Sequence, residues 1–271
     1  MFFALQCKYR KMKSTIKLSI GTGIISLLLL INNTSIAQQK DTTQRISHFG
    51  GTITATQNGI SLIPSFSLGR PAVMFDLNMG GKKLTFEPFF RFGMDGKPWA
   101  FIFWWRYKFV NNSRFRMSMG AHPSYVFRTV PMNSNGTTVT INRADRYAAM
   151  DLTPSYVVSK NATVGVYYLY SHGLDKTSVQ NTHFITLNAN FAHIKLAGSI
   201  YAKFNPQLYY LNMAGKDGFY ATHSFTLAKE KFPLSLQTVM NRAFKTEIAG
   251  NRFVWNMSLL YNFNKNYVRR R

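Results

Sequence analysis

The sequence predicts an all-β fold, a single antiparallel barrel of about twelve strands that crosses a membrane. Three observations predict it. Segments of about ten residues alternate between apolar and polar side chains, which is typical of transmembrane barrels. Short connections between these segments alternate with longer ones along the chain. The first 37 residues have the composition of an export signal.

The amino-terminal segment has the three parts of a secretory signal. A basic region precedes an apolar stretch of 14 residues from Leu18 to Ile31, and Ser35-Ile36-Ala37 is a small-x-small cleavage site. A helical anchor is the alternative, but a span needs about 20 apolar residues. The predicted segments are a signal peptide at 1–37, a periplasmic lead-in at 38–47, the barrel at 48–263 and a basic carboxyl-terminal tail at 264–271.

The composition excludes several classes of function. Without the predicted signal peptide the chain has 234 residues and loses five of its 33 cations, so its formal charge falls from +23 to +18. The single cysteine, Cys7, lies within that segment, so the processed chain has no disulfide, thiolate catalyst or cysteine zinc site. A strongly basic chain suggests an anionic partner, but an exported protein is a poor candidate for binding nucleic acid.

The alternating segments predict twelve strands. Ten or fourteen remain compatible, because segments 60–69 and 207–213 can each be counted differently. The predicted strands are 48–57, 71–79, 83–93, 99–109, 114–128, 145–158, 162–172, 182–191, 194–205, 218–228, 233–241 and 253–263.

The connections differ in length on the two sides of the predicted barrel. Those after even-numbered strands are short, such as Gly80–Lys82 and Ala192-His193. Those after odd-numbered strands are mostly longer, notably 58–70, 129–144 and 242–252. Outer-membrane barrels have short periplasmic turns and longer extracellular loops, so both termini are expected in the periplasm.

The alternation also predicts which face meets lipid. In the fourth strand Trp99, Phe101, Phe103, Trp105, Tyr107 and Phe109 share one face, and Arg106 and Lys108 share the other. A cation facing lipid costs about 2–4 kcal/mol at the midplane, so the aromatic row is predicted to face outward. The last strand repeats the pattern from Phe253 to Phe263.

On these features the chain resembles bacterial outer-membrane β-barrel proteins, in particular porin-like barrels of the Bacteroidota type. The resemblance covers 48–263 and rests on the hairpin rhythm, the aromatic rows and the closing segment Leu259–Phe263. It implies an outer-membrane location, contact with outer-membrane lipid and lipopolysaccharide, and insertion by the barrel-assembly machinery, with Phe263 as the terminal aromatic signal. The chain departs from that pattern by continuing through Asn264–Arg271.

The predicted functional site is the set of charged side chains that face the lumen. Glu87 is expected beside Arg106, and Asp76 on the strand next to Glu87. The residues predicted to form ion pairs or to select anions are Asp76, Glu87, Arg91, Arg106, Lys108, Arg116, Arg128, Arg146, Asp151 and Lys203.

Two interpretations of this lumen stay open. In the first, excess cations favour anionic solutes in a small channel. In the second, ion pairs fill the lumen, and the barrel has a structural or partner-binding role with an unknown protein partner. An outer-membrane lipid hydrolase using Ser171 with His172 or His183 is a third hypothesis, but no orienting acid is evident. The sequence indicates no cofactor and no metal site.

Overall fold

The computed structural model describes residues 46–134 and 137–268. The predicted signal peptide and Arg269–Arg271 lie outside the described residues. Twelve strands are present, one for each predicted strand. They are β1 (Ile46–Thr56), β2 (Ala72–Gly80), β3 (Leu84–Gly93), β4 (Pro98–Asn111), β5 (Phe115–Ser134), β6 (Thr137–Ser159), β7 (Ala162–Gly173), β8 (Asn181–Ala197), β9 (Ile200–Met213), β10 (Lys216–Lys229), β11 (Leu234–Thr246) and β12 (Phe253–Val268).

The strands form one closed antiparallel barrel, which confirms the predicted fold class. Each strand pairs with its neighbours in sequence, and β1 pairs with β12 to close the sheet. Closure leaves no unpaired strand edge around the barrel wall. The carboxyl-terminal part of β12 extends beyond the predicted end at Phe263, because Asn264–Val268 pair with Ile46–Gly50.

The two ends of the barrel differ. At the short-turn end, where β2 joins β3 and later even strands join odd ones, the connections have two to four residues. At the loop end the connection from β1 to β2, residues 57–71, is much longer and is called L1 here. It contains a 3-10 turn at Pro64–Phe66.

Two connections at this end that were predicted to be long loops are not loops of that length. Residues 129–134 and 137–144 continue β5 and β6 as a two-stranded ribbon that pairs up to Ser134 and Thr137. The connection between β9 and β10 is a two-residue turn, Ala214-Gly215. The predicted short turn at Ala192-His193 is also wrong: β8 passes it through register shifts and ends at Ala197, before Gly198 at φ 54°.

Four prolines lie inside strands without ending them. On one side of each proline, two consecutive residue pairs with the neighbouring strand are missing, and pairing then resumes in the same register. The four prolines are Pro88, Pro123, Pro154 and Pro206. Pro206 therefore marks neither a bulge nor a strand end. A proline lacks only its own N–H, and the other neighbouring strand keeps each of these segments in register.

The outer surface is an apolar belt. Trp105, Met150, Leu187, Leu208 and Leu259, on five different strands, are each between 51% and 59% exposed. The row from Phe253 to Phe263 faces outward as predicted, since its partners across the ladders are also outward residues. A contiguous apolar surface of this extent is unsuited to water and matches the lipid-facing band of a transmembrane barrel.

Candidate functional site

A cluster of charged side chains occupies the middle of the lumen. Arg106 on β4 donates from Nε to Glu87 on β3 at 2.9 Å and from Nη1 to Asp151 on β6 at 2.5 Å. The guanidinium also lies 4.1 Å from the ring centroid of Trp104. The predicted proximity of Glu87 and Arg106 is confirmed, and Asp151 is a further acidic partner.

The strand between Arg106 and Asp151 allows this ion pair to form. Gly120 on β5 pairs with both residues across its two ladders. A Cβ atom at Gly120 would lie 2.9 Å from Asp151 Oδ1 and 3.0 Å from the Trp104 ring. The absence of a side chain at this position therefore lets Arg106 reach Asp151 over the strand.

The polar surroundings complete the coordination of Glu87. Thr85 and Asn78 each donate a hydrogen bond to Glu87 Oε1 at 2.9 Å. Both oxygens of this carboxylate therefore have donors, as a largely buried polar group requires.

A second charged cluster lies nearer the loop end. Asp145, only 1% exposed, accepts from Arg143 Nε at 2.9 Å and lies 3.3 Å from Arg128 Nε. Sequence reasoning missed Asp145 and Arg143. Side chains alternate between the two faces of a strand, and residues 143, 145 and 151 all have odd numbers. Because no bulge lies between them on the β5 ladder, alternation from Asp151 places Arg143 and Asp145 in the lumen.

Arg146 has an even number and therefore lies on the opposite face of β6. Its predicted position in the lumen is wrong. Arg146 faces outward beside Tyr125 and forms a bidentate ion pair with Asp175 of the β7–β8 connection, with Nη2–Oδ1 and Nε–Oδ1 distances of 2.7 and 3.1 Å. Hydrogen bonds from Arg146 hold the pKa of Asp175 below its usual value. Arg146 therefore belongs to the outer rim and not to the lumen.

Asp76 and Arg91 face the lumen on β2 and β3, and Asp76 lies on the strand next to Glu87 as predicted. The Arg91 guanidinium lies 5.4 Å from the Trp99 ring and 5.9 Å from the Phe89 ring. Asp76 Oδ1 and Arg91 Nε are buried without a hydrogen-bond partner among the described residues. The two residues have opposite charges on adjacent strands but no contact within ion-pair distance in the described part of the chain.

The deep lumen is electrically balanced. Four arginines, Arg91, Arg106, Arg128 and Arg143, accompany four carboxylates, Asp76, Glu87, Asp145 and Asp151. Because Arg146 faces outward and Asp145 faces inward, the excess of cations predicted for the lumen is confined, among the described residues, to its short-turn end. The remaining predicted residues, Lys108, Arg116 and Lys203, lie on inward rows close to the short-turn end and are exposed.

The opposite wall of the lumen carries amides and hydroxyls. Gln237 donates to Thr226 at 3.0 Å, and Asn262 accepts from Thr52 at 2.9 Å. Asn256, 4% exposed, donates to Thr56 at 3.0 Å. These neutral pairs connect neighbouring strands and, unlike the ion pairs, have no fixed charge.

L1 folds into the loop end of the barrel instead of extending away from it. Its backbone carbonyls accept hydrogen bonds from two lumen-facing side chains, Trp99 Nε1 to Phe66 O at 2.8 Å and Tyr209 Oη to Leu62 O at 2.9 Å. Trp99 on β4 and Tyr209 on β9 belong to distant strands. L1 therefore spans the lumen.

Apolar packing fixes the same segment. Phe66 packs edge to face on Tyr147 of β6, with 5.4 Å between the ring centroids. The guanidinium of Arg128 lies 5.6 Å from the centroid of the Phe66 ring. Leu62 and Ile63 pack on a buried cluster of seven residues from β8–β11 and the β11–β12 connection. These residues are Phe184, Tyr209, Leu211, Met213, Tyr220, Ala243 and Ile248.

Trp99 departs from the predicted outward aromatic row. On the β3–β4 ladder Arg91 pairs with Ala100, but the next residue, Phe92, pairs with Pro98. Trp99 is therefore left unpaired as the extra residue of a bulge. Its ring is 3% exposed and packs with Ala72, Ala100 and Leu68. The available signal for an inward L1 was its sequence, since Ile60–Leu68 is more apolar than a solvated loop requires.

The residues of the hydrolase hypothesis do not converge. Ser171 faces the lumen and is 7% exposed, whereas His172 and His183 belong to outward rows of β7 and β8. His183 Nδ1 lies 3.0 Å from the Tyr168 hydroxyl, and His172 Nδ1 lies 3.2 Å from Asn181 Oδ1. Neither imidazole can act as a base for Ser171 in this arrangement.

Within 46–134 and 137–268 no cluster of three or more His, Asp or Glu side chains is arranged to hold a metal ion. Among the same residues, no helix has the length and apolarity needed to traverse a bilayer.

Comparisons with known proteins support the fold. No family model and no curated protein matches the chain. A porin, KdgM, solved in complex with disordered oligogalacturonate, aligns with a TM-score of 0.50 and 9% identity over 80% of this chain and 99% of the porin. An outer-membrane channel from Pseudomonas putida F1 aligns with a TM-score of 0.47 and 11% identity over 82% of this chain and 95% of the channel. The first likeness shows the barrel fold, and the resemblance to a Bacteroidota type stays a prediction.

Proposed function

We propose that the protein is an integral outer-membrane barrel whose lumen is closed at the loop end by L1, and that small solutes pass when L1 is displaced. The observation that carries this proposal is the pair of hydrogen bonds from Trp99 and Tyr209 to the L1 backbone, which anchor L1 on opposite parts of the wall. The apolar outer belt supports the membrane location, with the loop end outward.

The short-turn end supports a preference for anions. Lys108, Arg116 and Lys203 line the lumen there and are exposed to water. Since the deeper charges cancel, these rim cations set the sign of the local potential and raise the local concentration of anions. Anion selection therefore belongs to the short-turn mouth and not to the mid-lumen cluster.

Truncation of L1 tests this proposal. Residues 60–69 are replaced by a four-residue Gly-Ser linker, and the reconstituted protein is studied in planar bilayers. We expect the wild type to be mostly closed with brief openings, and the truncated barrel to conduct continuously. A matched control replaces residues 131–140 of the β5–β6 ribbon by Asn-Gly. The described residues of this range, 131–134 and 137–140, pair only with each other, so this variant is expected to behave as wild type.

The contrary outcomes are distinct. A truncated barrel that inserts, shows heat-modifiable electrophoretic mobility and remains silent contradicts a channel and favours the structural or partner-binding role. A wild type that conducts as much as the truncated barrel contradicts closure by L1. In a salt gradient the truncated barrel should prefer anions, and Lys203→Gln should reduce that preference.

A further inference from the structure

A cavity on the outer face of the barrel is lined by residues that take no part in the proposed passage through the lumen. It lies where β11 turns into β12 at the loop end, has a volume of about 400 Å³, and is lined by Arg242, Ala243, Phe244, Arg252 and Phe253. Phe244 and Phe253 are 62% and 54% exposed. The cavity therefore combines two guanidinium groups with two accessible aromatic rings.

The local backbone places these side chains together. Arg242 pairs with Phe253 across the β11–β12 ladder, and Ala243 N–H donates to Arg252 O at 2.7 Å. On the β10 side the register shifts so that Tyr220 faces Ala243 and Phe219 faces Lys245. Phe244 is the extra residue of this bulge, and Lys245 joins the outward face.

The arginines of this cavity differ from others at the loop end. Arg146 and Arg70 are neutralised by Asp175 and Asp95 at 2.7 and 2.8 Å. In the described residues, Arg242 and Arg252 form no ion pair, although Glu247 belongs to the same connection. Two cations are thus left available for an external anion.

The surface toward the middle of the membrane is apolar at this point. The next outward pair along the same ladder is Met240 and Trp255, which are 38% and 47% exposed. An anion held by the arginines would have hydrocarbon-compatible surface directly below it. This combination matches an amphiphile with a phosphate head and acyl chains.

We propose that this cavity binds a phosphorylated lipid of the outer leaflet, with a phosphate held between Arg242 and Arg252 and acyl chains along Phe253 and Trp255. Guanidinium groups bind phosphate through short, charge-assisted and often bidentate hydrogen bonds. Lys245 adds positive charge beside the cavity. The inference rests on the proposed outer-membrane location but not on passage through the lumen.

Binding of fluorescent hexa-acyl bisphosphorylated lipid A to the detergent-purified barrel tests the site. Because hydrogen bonds between guanidinium groups and phosphate are charge-assisted, Arg242→Gln with Arg252→Gln is expected to weaken binding by at least about tenfold. Arg146→Gln, an outward cation already paired with Asp175, is the matched control and should leave affinity unchanged. Dephosphorylated lipid A should bind the wild type as weakly as bisphosphorylated lipid A binds the double variant.

Heat-modifiable electrophoretic mobility establishes that each variant is folded. The double variant Arg242→Lys with Arg252→Lys keeps both charges and should retain more affinity for lipid A than the glutamine double variant. Equal binding by the folded wild type and the glutamine double variant overturns the proposal. Competition by inorganic phosphate as effective as that by lipid A overturns the assignment to a lipid. A conductance experiment that fails leaves this result intact, whereas failure to insert in membranes removes the basis of both proposals.

Discussion

The two halves of the lumen are filled in different ways. Toward the loop end, L1 and the buried side chains of Phe184, Tyr209 and Leu211 form a small hydrophobic core inside the barrel. Toward the short-turn end, amides, hydroxyls and exposed cations such as Lys203 line the wall. The Glu87–Arg106–Asp151 cluster lies between them. The proposed closure and the proposed anion selectivity therefore belong to different halves, and mutations in each should have different effects.

Arg106→Met should give the largest change in stability. It removes the cation shared by Glu87 and Asp151, and breaking a buried ion pair from one side costs about 3–5 kcal/mol. Lys203→Met, which removes an exposed cation in the short-turn half, should change the free energy of unfolding by less than about 0.5 kcal/mol. Urea unfolding in lipid vesicles at pH 8, followed by tryptophan fluorescence, measures both. Equal effects would remove the distinction between fixed and solvated lumen charges.

Gly120→Ala should have an intermediate effect. The added methyl would lie 2.9 Å from Asp151 Oδ1 and 3.0 Å from Trp104, and forced overpacking costs about 1–3 kcal/mol. Gly81→Ala in the β2–β3 turn, where an added Cβ meets no atom within 4 Å, is the matched control. The same unfolding assay applies, and a Gly120→Ala protein as stable as the control would show that Arg106 does not need this gap to reach Asp151.

Tyr209→Phe should destabilise the barrel less than Arg106→Met or Gly120→Ala does. It removes the single hydroxyl hydrogen, which has Leu62 O at 2.9 Å and Asn241 Oδ1 at 3.0 Å as acceptors. This loss costs about 1 kcal/mol and should raise the open probability of the barrel. Tyr201→Phe, near the short-turn end, is the control and should leave gating unchanged. Single-channel recording decides the result, and an unaltered open probability in Tyr209→Phe would argue against an anchoring role for this hydroxyl.

The strands could be predicted from the sequence because period-two alternation is local and each aromatic row is consistent over several residues. Arg106 with Glu87 followed from the hairpin that joins β3 and β4. Arg146 is predicted on the wrong face and Asp145 is missed, because the alternation that places Asp151 in the lumen was not extended along the whole of β6. Trp99 could not be placed by alternation, since a bulge at that residue reverses its face.

The path of L1 was the least predictable feature. Its apolar residues, such as Ile63 and Phe66, suggest burial, but the surface that buries them is contributed by β4, β6 and β8–β11 together. Such a surface exists only when the barrel is closed. Local patterning therefore identifies the wall of this barrel better than the segment that fills it.

A reversible lock on L1 tests the central claim most directly. Ser65 Oγ of L1 lies 3.8 Å from Met213 Sδ on β9, and Cys7 lies in the predicted signal peptide. Ser65→Cys with Met213→Cys therefore introduces two thiols between L1 and β9, and loss of free thiol establishes that oxidation has joined them. Closure by L1 predicts that bilayer openings disappear on oxidation and return on reduction, whereas each single variant is unaffected. Openings of the oxidised protein equal in size and frequency to those of the reduced protein would contradict it.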